Sequence, residues 1–207
     1  LGKLKSRSMT GTITVTLPVG GDVTGSIEAL NQAPNKTRNF IKVDLTSLGV
    51  GMVTQEQRFD GTTAYALDSL QGNREITGNQ LDNLKNASFP SPLLTYKDAG
   101  ATVELGGKET VGDREAWVLT FKPKAGSSVR QYVDAQSFLL IKQMVKVNVP
   151  QLGTDVEQTT EFSDYREVDG VKIPFRIRTS SMIQTFTINI TKVEHNVTID
   201  PALFSKP

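Results

Sequence analysis

The chain has no cysteine among its 207 residues, which excludes disulfides, thiol chemistry and cysteine-built zinc or iron–sulfur sites. It has one histidine, His195, so a histidine-built metal site or a Ser/His/Asp triad lacks its parts. Neither charge is in excess. The 23 Lys and Arg residues meet 22 Asp and Glu, and a net charge of +1 argues against a surface made to grip nucleic acid. No run of 18 apolar residues occurs, so no helical membrane span is expected. Hydrophobic residues make up only 37%, which points to sheets with one buried face. No signal peptide is present and the chain opens at Leu1-Gly2-Lys3-Leu4. The expectation is a processed form whose upstream helix or export signal has been removed.

What is abundant is β-branched. Thr (23), Val (19) and Ile (11) dominate, and their stiff side chains suit a pleated surface better than a helix. Thr12 to Leu17 alternates strictly, with Ile13, Val15 and Leu17 on one face. The same period puts Ile41, Val43 and Leu45 together, and likewise Trp117, Leu119 and Phe121. Phe186, Ile188 and Ile190 share a face, as do Val171, Ile173, Phe175 and Ile177. The pattern predicts about 10–11 strands in an antiparallel meander over one domain, residues 1–207. Asp60-Gly61 and Asp169-Gly170 are hairpin-turn signals; Gly106-Gly107 and Gly112-Asp113 are further turn candidates. Pro174 would remove a ladder hydrogen bond, so it favours an edge or a bulge.

Residues 78–99 differ. β-Branched residues are few there, and Leu81, Leu84 and Ala87 follow helical spacing. Ser91-Pro92 offers a second helix start. Two short helices are expected to interrupt the sheet and cover its apolar face.

Chemistry-bearing motifs are scarce. His195, late in the last strand, reads as a surface or turn residue. The acidic residues Glu157, Glu161, Asp164, Glu167 and Asp169 read as a solvated face rather than paired catalytic carboxylates. Asp164 to Gly170 lacks the ligand spacing of a calcium loop. Lys36, Arg38, Lys42, Lys172, Arg176 and Arg178 read as the polar faces of strands; the sharper reading is a basic rim for an anionic headgroup or acidic partner. No cofactor is expected, and no enzyme.

The second half carries an order of elements that is familiar. Gly107-Lys108-Glu109-Thr110-Val111 is followed by Arg114 to Leu119, then Gln131-Tyr132-Val133-Asp134 and Phe138 to Lys142. Phe162 to Pro174 comes next, and the chain closes through Val193, Asn196, Ile199-Asp200 and Phe204. Phe59 to Tyr65 fits the same order in the first half. This resembles the bacterial outer-membrane lipoprotein-sorting protein family, with the LolA/LolB-like fold. The resemblance implies an unclosed antiparallel β-barrel with a few short helices over its concave apolar side. It also implies a periplasmic or outer-membrane-associated carrier of lipid or lipoprotein acyl chains, with a membrane or envelope protein as a further partner.

Strand alternation supplies the candidate cavity residues. The aromatics are Phe40, Phe59, Tyr65, Trp117, Phe121 and Phe175; the aliphatics are Leu67, Leu81, Leu84, Leu93 and Leu119. Phe204 is expected to anchor the C-terminal tail onto the sheet. The alternative from the residues alone is a β-domain with a filled core and no lipid cargo, acting as a scaffold or interaction module; in either reading a monomer is expected.

Overall fold

In a computed structural model the alternating segments pair into one 13-stranded antiparallel sheet. The described residues are 3–16, 21–87, 89–149, 153–182 and 184–206. The first six strands are β1 (Ser6–Thr16), β2 (Asp22–Gln32), β3 (Lys36–Leu45), β4 (Gly51–Phe59), β5 (Ala64–Asp68) and β6 (Arg74–Ile76). A nine-residue helix α1 (Gly78–Asn86) follows, then a 3-10 turn at Pro92–Leu94. The remaining strands are β7 (Thr102–Val111), β8 (Arg114–Lys122), β9 (Val129–Asp134), β10 (Leu140–Val149), β11 (Thr154–Val168), β12 (Val171–Ser180) and β13 (Thr185–His195).

The spatial order is β6-β5-β4-β3-β2-β1-β13-β12-β11-β10-β9-β8-β7. The first and last strands therefore join in the middle of the sheet, and β6 and β7 are its two free ends. These ends are neighbours in sequence but do not pair, so the barrel stays open. The chain crosses the opening through α1 and the 92–94 turn.

The strand count exceeds the 10–11 expected, for local reasons. At three residues β6 is too short to display alternation. The Gly106-Gly107 pair, expected to turn the chain, lies inside β7, where the register slips between Leu105 and Lys108. The turn comes instead at Gly112, with φ +63. Asp169 and Gly170 do both take positive φ, 52 and 75, as a two-residue hairpin requires. Pro174 sits where β12 has parted from β13, whose described ladder stops at Arg176–Asn189. There its missing N–H costs nothing. Only one of the two expected helices forms over 78–99; Pro92–Leu94 makes a single 3-10 turn, with Ser91 Oγ accepting from the Leu93 N–H at 3.3 Å.

Two glycines allow the sheet to curl. A Cβ at Gly25 would lie 2.2 Å from the Lys42 carbonyl oxygen, and one at Gly11 would lie 2.3 Å from that of Asn189. Both contacts are with backbone of the adjacent strand, so only a residue without a side chain tolerates this approach.

On the outer face, Phe204 is fully buried beneath the C-terminal 3-10 turn (Pro201–Phe204), which packs on β3 and β4. Arg58 Nη1 donates to the Ser205 carbonyl at 3.3 Å beside it. Also on this face, Arg38 donates to Glu56 at 2.5 Å and to Glu28 at 2.6 Å, while Arg58 donates to Glu56 at 2.7 Å. Partial burial works to raise the Glu56 carboxyl, but the hydrogen bonds and charges of Arg58 and Arg38 outweigh it and hold it below its usual range. In the β4–β5 turn the same balance lowers Asp60, which accepts from the backbone of Thr62 and Thr63 at 2.7 and 2.8 Å. Depressed carboxylates contribute stability that is present above their unfolded values, near pH 4, and lost as pH falls through the folded ones. Melting temperature should therefore hold from pH 7 to 5 and fall steeply below about pH 4. A melting temperature unchanged down to pH 2.5 would contradict this account.

Candidate binding groove

Register decides which side chains meet. Reading across the ladder, Ile13 lies opposite Gly25, Gly25 opposite Val43, and Val43 opposite Val53. On the other side Ile13 lies opposite Ile188, and Ile188 opposite Ile177. Directly opposite residues point to the same face. This face carries Ile13, Val43, Val53, Ile190, Phe175 and Phe59, all buried.

It is also the concave face. Val53 on β4 and Phe186 on β13 line one cavity, although three strands lie between theirs in the sheet. Only inward curvature brings them together. That cavity is about 240 Å³, with walls of Val15, Val23, Ile41, Leu45 and Leu70. It shares Ile41, Gln55 and Phe186 with a second cavity of about 500 Å³, which in turn shares Ile27, Asn39 and Ile188 with a third of about 170 Å³. The three form one groove along β1–β5, β12 and β13. Ile, Val and Leu dominate the first and third cavities, while the second is polar on its β4–β6 side, where Gln55, Glu56, Gln57, Asp68, Gln71 and Arg74 border it.

One end is bordered by Leu70 and Gln184, and Leu48, Val50, Met52, Leu70 and Met182 are exposed. Helix α1 packs on the same concave face without bordering the three cavities. Leu81 and Leu84 pack on a core of Phe59, Ala64 and Ile76. From this wall α1 reaches across the barrel opening. Asn83 accepts from the Ser127 N–H at 2.7 Å, and Asn86 donates to the Ala125 carbonyl at 2.7 Å, both in the β8–β9 loop. The helix is thus tied to both walls where the barrel fails to close.

The sequence-selected residues distribute unevenly over this geometry. Phe59 lies on the concave face, fully buried under α1, with Leu81 and Leu84 above it. Phe175 is on the same face, packed with Ile173 and Ile190 behind the groove wall. Trp117, Leu119 and Phe121 share the face on β8 but do not border the groove; Lys108 stacks over Trp117 at 5.0 Å. Leu93 is half-buried in the 3-10 turn. Phe40, Tyr65 and Leu67 alternate to the outer face. Phe40 lies beneath the Arg38 guanidinium at 5.3 Å and Tyr65 beneath Lys206 at 5.6 Å. Leu67, opposite Glu56, only reaches the groove rim.

The groove is instead walled by aliphatic stripes that alternation had already displayed: Ile13 and Val15, Ile41 to Leu45, and Phe186 to Ile190. The candidates chosen from the sequence, six aromatics and five leucines, leave those stripes out. Two polar residues on the concave face were also missed. Arg7, on β1, gave no sequence signal beyond its place before the alternating run. His195, expected at the surface, has a side chain only 1% exposed, and its Nδ1 lies 3.2 Å from Asp169 Oδ2. The Asp169-Gly170 hairpin folds over it. The basic residues Lys36, Arg38, Lys42, Arg176 and Arg178 all alternate to the outer face, several in ion pairs such as Arg178–Glu161 at 3.2 Å.

By sequence the chain matches no family model and no curated protein. By structure it is similar to a LolA superfamily protein from Nitrosomonas europaea, with a TM-score of 0.63 at 13% identity over 99% of this chain and 91% of that one. It is similar to a DUF1329 family protein from Desulfovibrio piger, with a TM-score of 0.66 at 14% identity over 98% and 90%. A domain from Vibrio parahaemolyticus named for outer membrane lipoprotein sorting gives a TM-score of 0.64 at 10% identity over 97% and 89%. The chain therefore has the fold of these LolA-like proteins, an unclosed antiparallel β-barrel with few helices.

Proposed function

We propose that this chain is a non-enzymatic carrier or holder of acyl chains from a lipid or lipoprotein, acting as one unit in the bacterial envelope. The observation that supports this best is the groove itself. It is long, open at one end and apolar along β1–β3, β12 and β13, with a polar side on β4–β6. Pockets for greasy ligands combine apolar walls with polar groups that orient the ligand. Burying an acyl chain is worth about 0.8 kcal/mol per methylene, so a modest length of chain suffices for useful affinity. No bond need be made or broken. Exposed Leu70 at the open end suits entry of a chain from a membrane or a delivering partner.

The fold likeness agrees with this reading, since one neighbour is named for lipoprotein sorting. The competing reading, an interaction module with a filled core, requires the groove to stay empty of lipid. Native mass spectrometry of freshly purified protein, followed by solvent extraction, separates the two. A reproducible adduct of lipid mass is expected. A clean protein mass, with no uptake from phospholipids, fatty acids or acylated peptides, would favour the interaction module.

A further inference from the structure

Just beyond the far end of the groove lies Arg7, half-buried and without an ion-pair partner among the described residues. Arg7 pairs across the ladder with Asn31 on one side and His195 on the other. All three therefore share the concave face, one step beyond Met9 and Ala29, which line the groove. Among the described residues no carboxylate forms an ion pair with Arg7, and its guanidinium has one hydrogen bond, a long one from Nη2 to Asn31 Oδ1 at 3.4 Å. Its Nε is enclosed and has no acceptor. The Phe89 ring lies over the guanidinium at 5.2 Å. Stacking occupies the face of a guanidinium and leaves its in-plane N–H donors available. Directly across the strand, His195 Nε2 is also enclosed and unpartnered, because only Nδ1 reaches Asp169.

Burial without a partner is costly for a charge and for a hydrogen-bonding group. Burial also pushes the Arg7 pKa below its ordinary value, the sign of a desolvated cation. Such a group is poised for an anion, because an acceptor in the guanidinium plane would form charge-assisted hydrogen bonds in a dry site. The distance fits an amphiphile. Val15 and Arg7 are eight residues apart on β1, or about 26 Å at ~3.3 Å per residue.

We infer that Arg7, with Asn31 and His195 beside it, is the anion subsite of the groove, so that the ligand is an acyl chain ending in a single carboxylate or phosphate, bound head inward. The inference rests on the acyl-groove reading above and narrows it to a ligand class. The acyl tail lies along Ile27, Ile41 and Ile188 toward the open end. At Arg7 the head displaces no ion-pair partner among the described residues; the Asp169 carboxylate sits at His195 Nδ1, not at Nε2.

The test is calorimetric titration of the full chain with palmitate, methyl palmitate and lysophosphatidate, each kept below its micelle concentration. The wild-type protein should bind at least one of the two anions about tenfold or more tighter than the ester, a step of ~1.4 kcal/mol. Whichever anion binds tighter identifies the head. Arg7→Met should weaken the anion to the level of the ester and leave the ester unchanged; Arg7→Lys should keep part of the preference. Equal affinity of wild-type protein for acid and ester overturns the subsite alone, with no variant needed. A preference retained in Arg7→Met overturns it too. No binding of any of the three ligands overturns the acyl-groove reading itself.

Discussion

Phe59→Ala should destabilise the protein by about 3–5 kcal/mol, a large part of the ~5–15 kcal/mol that holds a typical domain together. Phe59 is fully buried and is the floor on which Leu81 and Leu84 rest. Removing the ring leaves a cavity between the sheet and α1. The helix cannot compensate by itself. It has nine residues, and the Thr77 side chain makes no capping hydrogen bond to it. An isolated helix of that length is not stable in water. The melting temperature should fall by roughly 6–20 °C. Amide exchange in α1 should accelerate more than in the central strands β1 and β13, because the helix loses its main apolar contact while the ladders remain. A melting point within two degrees of wild type, or uniform exchange, would show that α1 is held by its polar ties to the β8–β9 loop instead.

Ile188→Trp should block the groove. Ile188 borders two of its three segments and lies opposite both Ile13 and Ile177. An indole there takes the volume that an acyl chain would occupy. Displacing about three methylenes at ~0.8 kcal/mol each predicts a loss of ~2.4 kcal/mol, or roughly 50-fold in affinity for an acyl probe. Phe40→Ala is the control. Phe40 is aromatic and half-buried but belongs to the outer face under Arg38, so probe affinity should stay within twofold of wild type. Equal losses in both variants would mean that the probe binds elsewhere or that both variants act through stability.

The contrast between Ile188 and Phe40 shows how far the sequence could be read. Period two assigned Phe186, Ile188 and Ile190 to one face correctly, because alternation is local. It put Phe40 and Ile41 on opposite faces of β3 but could not say which of the two meets the cavity. That depends on which face of β3 the whole sheet curls around. The Arg38 network and the C-terminal turn with Phe204 make the outer face of β3 and β4 partly buried as well, so burial on either face was compatible with an aromatic. Gly106-Gly107 misled for a related reason. Two glycines signal a turn or a bulge equally well, and pairing with β8 chose the bulge.

The residues by themselves determined that this is an antiparallel β protein, where several of its hairpins turn, which residues share a strand face, and that Phe204 anchors the tail. Each of these follows from neighbours a few positions apart. Only the tertiary structure decided which face is concave, that β6 and β7 remain unpaired, and that α1 bridges the gap. It alone placed Arg7 opposite His195, 188 positions later in the chain. These outcomes arise from register and curvature summed over many strands, and no local pattern contains that sum.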